Sequence, residues 1–233
     1  MKTIGLIGGM SWESSIEYYR IINECVQQRL GGVHSAACVM VSVDFEPYNT
    51  WMRERNWSEI GAGLVRAARQ VESAGADLLV LCTNTMHKLA DPIQAAVNIP
   101  LLHIADSAGQ AAVDLQARRV GLLGTRFTME EDFYRGRLEE KFGVEVLTPP
   151  LEERRLVARV IFEELVVGRV LPESREAYRK IIAGLEERGA QAVILGCTEI
   201  GLLVKAEDSS LALLDTTRLH AEAAVAVALE GAE

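Results

Sequence analysis

Two stretches of the chain run from an apolar segment into a cysteine and then into hydroxyl and amide side chains. One is LCTNTMHK, Leu81 to Lys88, and the other is GCTEI, Gly196 to Ile200. A lone cysteine at the end of an apolar run is either a buried small hydrophobe, the usual fate of a free thiol, or a reactive group at the mouth of a pocket. Two more stretches have the same character, GGMSWES (8–14) and GTRFTME (124–130). All four are small-residue and hydroxyl-rich, and each is expected to lie between a strand and a helix. Ligands of open α/β sheets bind beyond the carboxyl ends of the strands, and free N–H groups at helix N-termini suit a carboxylate. Two such half-sites would grip a small acid from both sides. Taken singly, Ser11, Ser14, Thr125 and Thr128 would serve equally as helix caps. The GLIGGMS run is neither GxGxxG nor GxxxxGK[ST], which argues against a phosphate-binding loop.

The elements that must carry these motifs follow from periodicity. Short apolar runs at 3–8, 38–43, 77–82, 100–104, 119–124, 144–148, 192–196 and 212–215 read as strands. Helical patterns lie between them, among them 14–30, 58–75, 175–189 and 218–231. Near-continuous apolar strands alternating with helices predict an α/β fold with parallel sheets covered on both faces, doubly wound through right-handed crossovers. The chain also matches itself. GADLLVLCTNT from Gly75 aligns without a gap to GAQAVILGCTE from Gly189, and TIGLIGGM from Thr3 aligns to RVGLLGTR from Arg119. Nearly equal offsets in the same order predict two copies of one unit. The expected division is residues 1–98 plus 209–233 as the first domain and 99–208 as the second. In this alignment Cys197 falls opposite Thr83, and Cys82 opposite Gly196. Neighbouring strand residues point to opposite faces. If Cys197 lines a cleft, then Thr83 lines the matching wall and Cys82 points into packing.

Composition removes several classes. The 233 residues are 49% hydrophobic and 24% charged, with net charge −9. A dispersed acidic balance lacks the basic face a nucleic-acid binder needs. No run is long and apolar enough to cross a bilayer, and MKTIGLIGGMSW lacks the features of a signal peptide, so a cytoplasmic location is expected. The four cysteines show no CxxC spacing and read as free thiols. The four histidines show no HExxH or paired spacing, and no metal is expected.

In order and spacing, GLIGGMSWES, TNTMH, GLLGT and GCTEI resemble the aspartate/glutamate racemase family, over essentially the whole chain. The likeness is greatest to amino-acid racemases whose first motif reads Thr-Asn-Thr rather than Cys-Asn-Thr. The resemblance implies two pseudosymmetric α/β domains with the active site in the cleft between them, no cofactor, and a homodimer. The family inverts Cα by 1,1-proton transfer: a thiolate removes the α-proton on one face and a thiol returns one on the other. That requires two acid/base groups within hydrogen-bonding reach of one planar carbanion. A thiol suits the task, because its pKa of about 8.5 can be lowered at a helix N-terminus.

Here Thr83 stands at the family's first catalytic position, and Cys82 is one residue out of register. A threonine hydroxyl is too weak an acid to mirror a thiolate. The resemblance thus implies Cys197 as the acid/base thiol and Thr83 as the residue on the opposite face. Arg53 matches the family's side-chain carboxylate arginine, with Arg55 close enough to take that place and a solvated surface arginine the plainer reading, while Val166 stands where a lysine is common. With one cation rather than two, a second carboxylate is held less tightly; L-aspartate and L-glutamate remain the leading substrates, and homoserine stays open. By the same resemblance Asn84 and Thr85 hold the α-carboxylate, Met10 and Ser11 line the pocket, and Thr125 and Thr128 meet the ligand from the second half. Thr198 and Glu199 follow the thiol. Glu199, where many glutamate racemases carry His, either orients a proton or an amine or is a helix N-terminal glutamate. His87 reads as structural or as a donor behind the site, and Trp12, Trp51 and Trp57 as wall and lid packing. The competing expectations are a one-cysteine decarboxylase or maleate-type isomerase of this fold, and an amino-acid-binding protein that has lost a catalytic base.

Overall fold

In the computed structural model, which describes residues 1–230, every expected apolar run becomes a strand: β1 Ile4–Gly8, β2 Cys38–Ser42, β3 Leu78–Leu81, β4 Leu101–Leu102, β5 Arg119–Gly124, β6 Glu145–Leu147, β7 Ala192–Gly196 and β8 Ala212–Asp215. The helices are α1 Trp12–Leu30, α2 Phe45–Glu54, α3 Trp57–Ser73, α4 Ala90–Gln94, α5 Ile104–Asp114, α6 Arg126–Glu130, α7 Asp132–Phe142, α8 Leu151–Glu163, α9 Pro172–Glu187, α10 Ile200–Leu203 and α11 Thr216–Leu229. Short 3-10 turns occupy Thr85–Leu89, Leu165–Val167 and Ala206–Asp208. Gly231, the expected end of the last helical stretch, lies outside the described residues, as do Ala232 and Glu233.

The strands form two parallel sheets, ordered β2-β1-β3-β4 and β6-β5-β7-β8. The second order is the first with each strand replaced by its repeat equivalent, so the sequence repeat is also a repeat of topology. The chain divides into one unit of Met1–His103 with the segment from His220 onward, and another of Ile104–Leu219. The sequence expectation put 209–233 with the first half. In the structure β8 hydrogen-bonds to β7, so that segment belongs to the second sheet and the crossing back falls inside α11.

Each sheet is covered on both faces, which explains why the inner strands β1, β3 and β7 are apolar at every position rather than at alternate ones. In the first unit Ile4, Leu6, Leu78, Val80 and Cys82 pack against Tyr18, Ile21, Ile22 and Val26 of α1 and against Ala221, Ala224, Val225 and Ala228 of α11. Ile7, Leu79 and Leu81 are fully buried on the other side. In the second unit Leu123, Val193 and Leu195 meet Val157, Val160 and Ile161 of α8 and Tyr178, Ile181, Ile182 and Leu185 of α9. Val120, Leu122, Ala192 and Ile194 meet α5 and α7 through Ile104, Ala105, Ala108, Tyr134 and Leu138.

The two orders fix where chemistry can sit. From β1 the chain passes to β2 on one side, and from β2 back across to β3 on the other. The carboxyl ends of β1 and β3 therefore flank a switch point, where open α/β sheets leave a crevice. The ends of β5 and β7 flank the equivalent point in the second sheet. All four hydroxyl-rich motifs begin at these ends.

Candidate active site

In the first unit Ile7 of β1 is paired with Leu81 of β3, so the segments starting at Gly8 and Cys82 leave the sheet side by side. Gly9 turns the chain at φ 94°, and a Cβ there would lie 2.1 Å from the Val43 carbonyl oxygen; only glycine fits that turn. The turn is held by Ser15. Its Oγ accepts from the Gly9 N–H at 2.8 Å and donates to the Ser11 carbonyl at 3.0 Å, which Ser14 Oγ also reaches at 3.1 Å. Ser11 occupies the N-cap position of α1 without a side-chain cap bond. Met10 and Ser11 are thereby fixed and buried. Ser15 was not singled out from the sequence; its signal was its place four residues after Ser11, one helical turn on.

Thr83, Asn84 and Thr85 are buried at the end of β3. His87 Nδ1 lies 2.7 Å from the Thr83 carbonyl oxygen. A carbonyl only accepts, so Nδ1 carries the proton and the ring is anchored. Behind it the His87 ring lies 4.6 Å from that of His103 and 5.7 Å from that of His220. His220 Nε2 donates to the Leu102 carbonyl at 2.9 Å, which leaves Nδ1 to accept from the Tyr18 hydroxyl at 2.9 Å. These three histidines form a buried support under the Thr83 turn, consistent with a structural part for His87. Cys82 is fully buried in the apolar cluster with α1 and α11, and burial pushes its thiol pKa far up.

In the second unit Gly124 is paired with Gly196, and Thr125 and Cys197 are the next residues out. A Cβ on Gly196 would lie 2.9 Å from the Leu123 carbonyl oxygen and 3.2 Å from Thr128 Cγ2. The bare glycine lets Thr128 pack against the strand ends. Thr125 caps α6, its Oγ1 accepting from the Thr128 N–H at 3.4 Å, and the two hydroxyls are 3.3 Å apart. Cys197 is 8% exposed. Its Sγ donates to Glu199 Oε2 at 2.9 Å, and Thr198 Oγ1 donates to the same oxygen at 3.0 Å. Thr216 Oγ1 donates to the Leu195 carbonyl at 2.8 Å and Thr217 Oγ1 to the Thr198 carbonyl at 3.3 Å. These two threonines, which the sequence reading passed over, tie the thiol-bearing turn to the start of α11.

The electrostatics of this turn correct one expectation. Burial first, and then the Glu199 carboxylate, drive the Cys197 thiol well above its ordinary pKa; the Glu199 and Thr198 backbone N–H groups pull the other way and do not prevail. The resting sulfur is a thiol. Helix-dipole lowering was expected, but only GGMSWES opens a long helix. The other three motifs lead into the 3-10 turn Thr85–Leu89, the five-residue α6 and the four-residue α10, too short to sum a sizeable dipole.

Arg53 stands apart. It sits on α2 with a side chain 66% exposed, and Nη2 reaches Glu46 Oε1 at 3.4 Å and Thr50 Oγ1 at 3.2 Å. Val166, at the expected lysine position, lies in a 3-10 turn and packs on the apolar cluster around Cys197. Trp12 is 61% exposed; with Ser15, Ile16, Tyr19, Met40 and Ser42 it borders a groove of about 600 Å³ along α1 and β2. Trp51 packs edge-on against Tyr48, and Lys88 lies over the Trp57 ring. Among the described residues no group of three His, Cys, Asp or Glu side chains is placed to hold a metal ion. Among the same residues no helix is long and apolar enough to cross a membrane.

The family model for Asp/Glu/hydantoin racemases matches residues 7–224. The chain belongs to that family. Its members are racemases, and this racemase-family chain is an enzyme of the isomerase class. It is 51% identical to a candidate Asp/Glu racemase from Yersinia pestis, over 98% of this chain and 100% of that one, with a TM-score of 0.90. It is 34% identical to an aspartate racemase homologue from Pyrococcus horikoshii OT3, over 98% and 99%, with a TM-score of 0.84. Among curated relatives, the broad-specificity amino-acid racemase RacX of Bacillus subtilis (strain 168) is 22% identical over 97% of this chain and 98% of its own length. The glutamate racemase of Koribacter versatilis is 28% identical over 67% of this chain, and the match spans only 55% of that relative's length.

Proposed function

We propose that this racemase-family enzyme inverts Cα of a small acidic amino acid, L-aspartate or L-glutamate, without a cofactor, with Cys197 as the acid/base on one face and Thr83 on the other. The observation that carries the reading is the Cys197 turn. A thiol stands first after a switch-point strand, bonded to a buried carboxylate and flanked by the Thr198 and Glu199 N–H groups. Cys82 also stands first after its strand, but its Sγ faces the Val80 carbonyl at 3.9 Å inside an apolar cluster rather than a carboxylate. The opposing position of Thr83 rests on the repeat alignment and the family resemblance. A hydroxyl cannot serve as a thiolate does, so Thr83 orients the proton carrier of its face rather than carrying the charge. Turnover in the two directions is then unequal.

Arg53 is the one cation proposed for the side-chain carboxylate. Its single long contact to an exposed glutamate leaves the guanidinium able to exchange partners, because an ion pair of that exposure is worth at most about 1 kcal/mol. Asn84 and Thr85 are proposed to hold the α-carboxylate, Met10 and Ser11 to line the pocket, and Thr125, Thr128 and Thr198 to complete it. The family resemblance further leads us to propose a homodimer, which sedimentation would report as a species of about twice 25.5 kDa.

The test is exchange of the α-hydrogen of L-aspartate and L-glutamate in D2O with no pyridoxal phosphate added. Exchange is expected in the wild type, lost in Cys197→Ala and largely kept in Cys82→Ala. Exchange that survives Cys197→Ala overturns the assignment. Exchange on homoserine but on neither dicarboxylic amino acid moves the substrate to the broader-specificity reading.

A further inference from the structure

Glu199 is 2% exposed, yet its Oε2 accepts from two donors one and two residues back along the chain, Thr198 Oγ1 at 3.0 Å and Cys197 Sγ at 2.9 Å. A helix N-terminal glutamate serving the dipole alone would point along the helix into solvent. This one is folded back onto the sulfur, at the start of a helix only four residues long. A buried thiol and a buried carboxylate in direct hydrogen bond do not both stay ionised, because two negative charges at that distance in a poorly solvated site repel strongly. One proton then lies between the two groups, within reach of either.

We propose that Glu199 is the proton store of Cys197: the carboxylate takes the Sγ proton, frees the sulfur to act as a base, and holds that proton through the reaction. This rests on the racemase reading above. In the resting pair the sulfur is protonated and the carboxylate charged. The Sγ–H bond breaks, the proton passes 2.9 Å to Oε2, and the electron pair stays on sulfur as a thiolate facing the Thr198 and Glu199 N–H groups. The thiolate then takes the α-proton, and the Cα–H electron pair remains on the substrate carbanion. The pair is now a thiol and a carboxylic acid and carries no charge. In the reverse direction the thiol returns its proton to Cα and becomes a thiolate beside the same neutral acid. The sulfur works in both directions, and at no stage do thiolate and carboxylate coexist. Glu199 acts through the sulfur and is a positioning residue rather than one that touches substrate.

Of the titratable side chains nearby, Tyr178 from α9 feels the Cys197 charge, and Asp215 from β8 stands beside Gly201, two residues on from Glu199. The Tyr178 hydroxyl donates to the Val157 carbonyl at 3.0 Å, and its pKa is pushed well above 10 by burial and then by the Cys197 charge, with Glu164 adding to it. It therefore stays neutral across the range of the test. Asp215 accepts from the Thr217 and Arg218 N–H groups and stands beside Gly201.

The experiment is alkylation of the full-length chain by iodoacetamide, following Cys197 by peptide-resolved mass spectrometry from about pH 6 to 9. The shared proton gives wild-type Cys197 a plateau, because the thiolate–acid form supplies a nearly constant fraction of reactive sulfur as long as the pair holds one proton. Glu199→Gln keeps the shape and the hydrogen bond but cannot take the proton. Its Cys197 should titrate as an isolated thiol, with alkylation rising about tenfold per pH unit, while α-hydrogen exchange falls at least about tenfold. Glu199→Asp should restore the plateau and part of the exchange, and it serves as the test if the glutamine variant does not fold. A tenfold-per-unit rise in both the wild type and Glu199→Gln overturns the proposal. Alkylation needs no substrate. A plateau in a wild type that exchanges no amino acid would defeat the racemase reading and leave the proton-sharing pair standing.

Discussion

Cys82 and Cys197 occupy adjacent registers of one repeat and meet opposite surroundings. Cys82 packs among Ile4, Leu6, Tyr18 and Val80, while Cys197 meets a carboxylate and two N–H groups. Both thiols are nonetheless raised by burial. Unfolded, each ionises near pH 8.5. Above that pH the unfolded chain binds fewer protons than the folded one. Stability is therefore full below about pH 8.5 and falls as pH rises, by up to about 1.4 kcal/mol per pH unit for each thiol. The urea midpoint should drop between pH 8 and 9.5, and Cys82→Ala should flatten that drop at a cost of about 1 kcal/mol at neutral pH from lost packing. A variant with the wild-type slope would show that Cys82 is not held neutral by the fold. At this scale the sequence carried the different surroundings of the two cysteines, because the period of two along a strand separates Cys82 from the register of Thr83. It did not carry the Glu199 contact, which depends on a side chain folding back, nor the exposure of Arg53, which depends on where α2 is placed.

Elements decide whether the strand ends are rigid enough to hold the site. The β1-to-α1 turn is pinned by one hydroxyl, Ser15 Oγ, between the Gly9 N–H and the Ser11 carbonyl. Ser15→Ala leaves the Gly9 N–H buried without that acceptor, a loss of about 1–3 kcal/mol. A lower urea midpoint and a raised KM with a smaller change in kcat are expected, because Ser15 holds Met10 and Ser11 without reaching the reacting carbon. An unchanged midpoint would mean that the turn is held by other contacts. The strands were legible because sheets covered on both faces need unbroken apolar runs, and Val/Ile/Leu runs of strand length bounded by glycine are hard to read otherwise. TNTMH and GCTEI were each expected to precede a helix, and the elements that follow them are short. Pro92, two residues into α4, has no N–H to donate back to Lys88, so a regular helix from Thr85 cannot run through it; the segment divides into a 3-10 turn and the short α4. A 3.6-residue apolar period does not register such a break.

At the scale of the whole chain the repeat makes two sheets of one topology, but it does not make two units of equal independence. Ile104–Leu219 is continuous and contains all of β5 to β8 with the helices on both of their faces. The first unit is discontinuous. One face of β1 and β3 is covered in part by Ala221, Ala224, Val225 and Ala228 of α11, which arrive only after the second sheet is complete. Met1–His103 alone would expose Ile4, Leu6, Leu78 and Val80, and burying each such side chain is worth about 1.5–3 kcal/mol, comparable in sum to the stability of a whole domain. We expect that fragment to show no cooperative urea transition by circular dichroism. The Lys2 N–H donates to the Ala228 carbonyl at 2.8 Å, which brings the start of the chain to the end of α11. A permuted fragment in which 220–233 precede Met1 through a short glycine linker, ending at His103, should therefore recover the cooperative transition. The sequence repeat alone would predict that the first half folds as readily as the second. Cooperative unfolding of Met1–His103 without the added helix would favour that view and show that α11 is dispensable to the β1–β3 core.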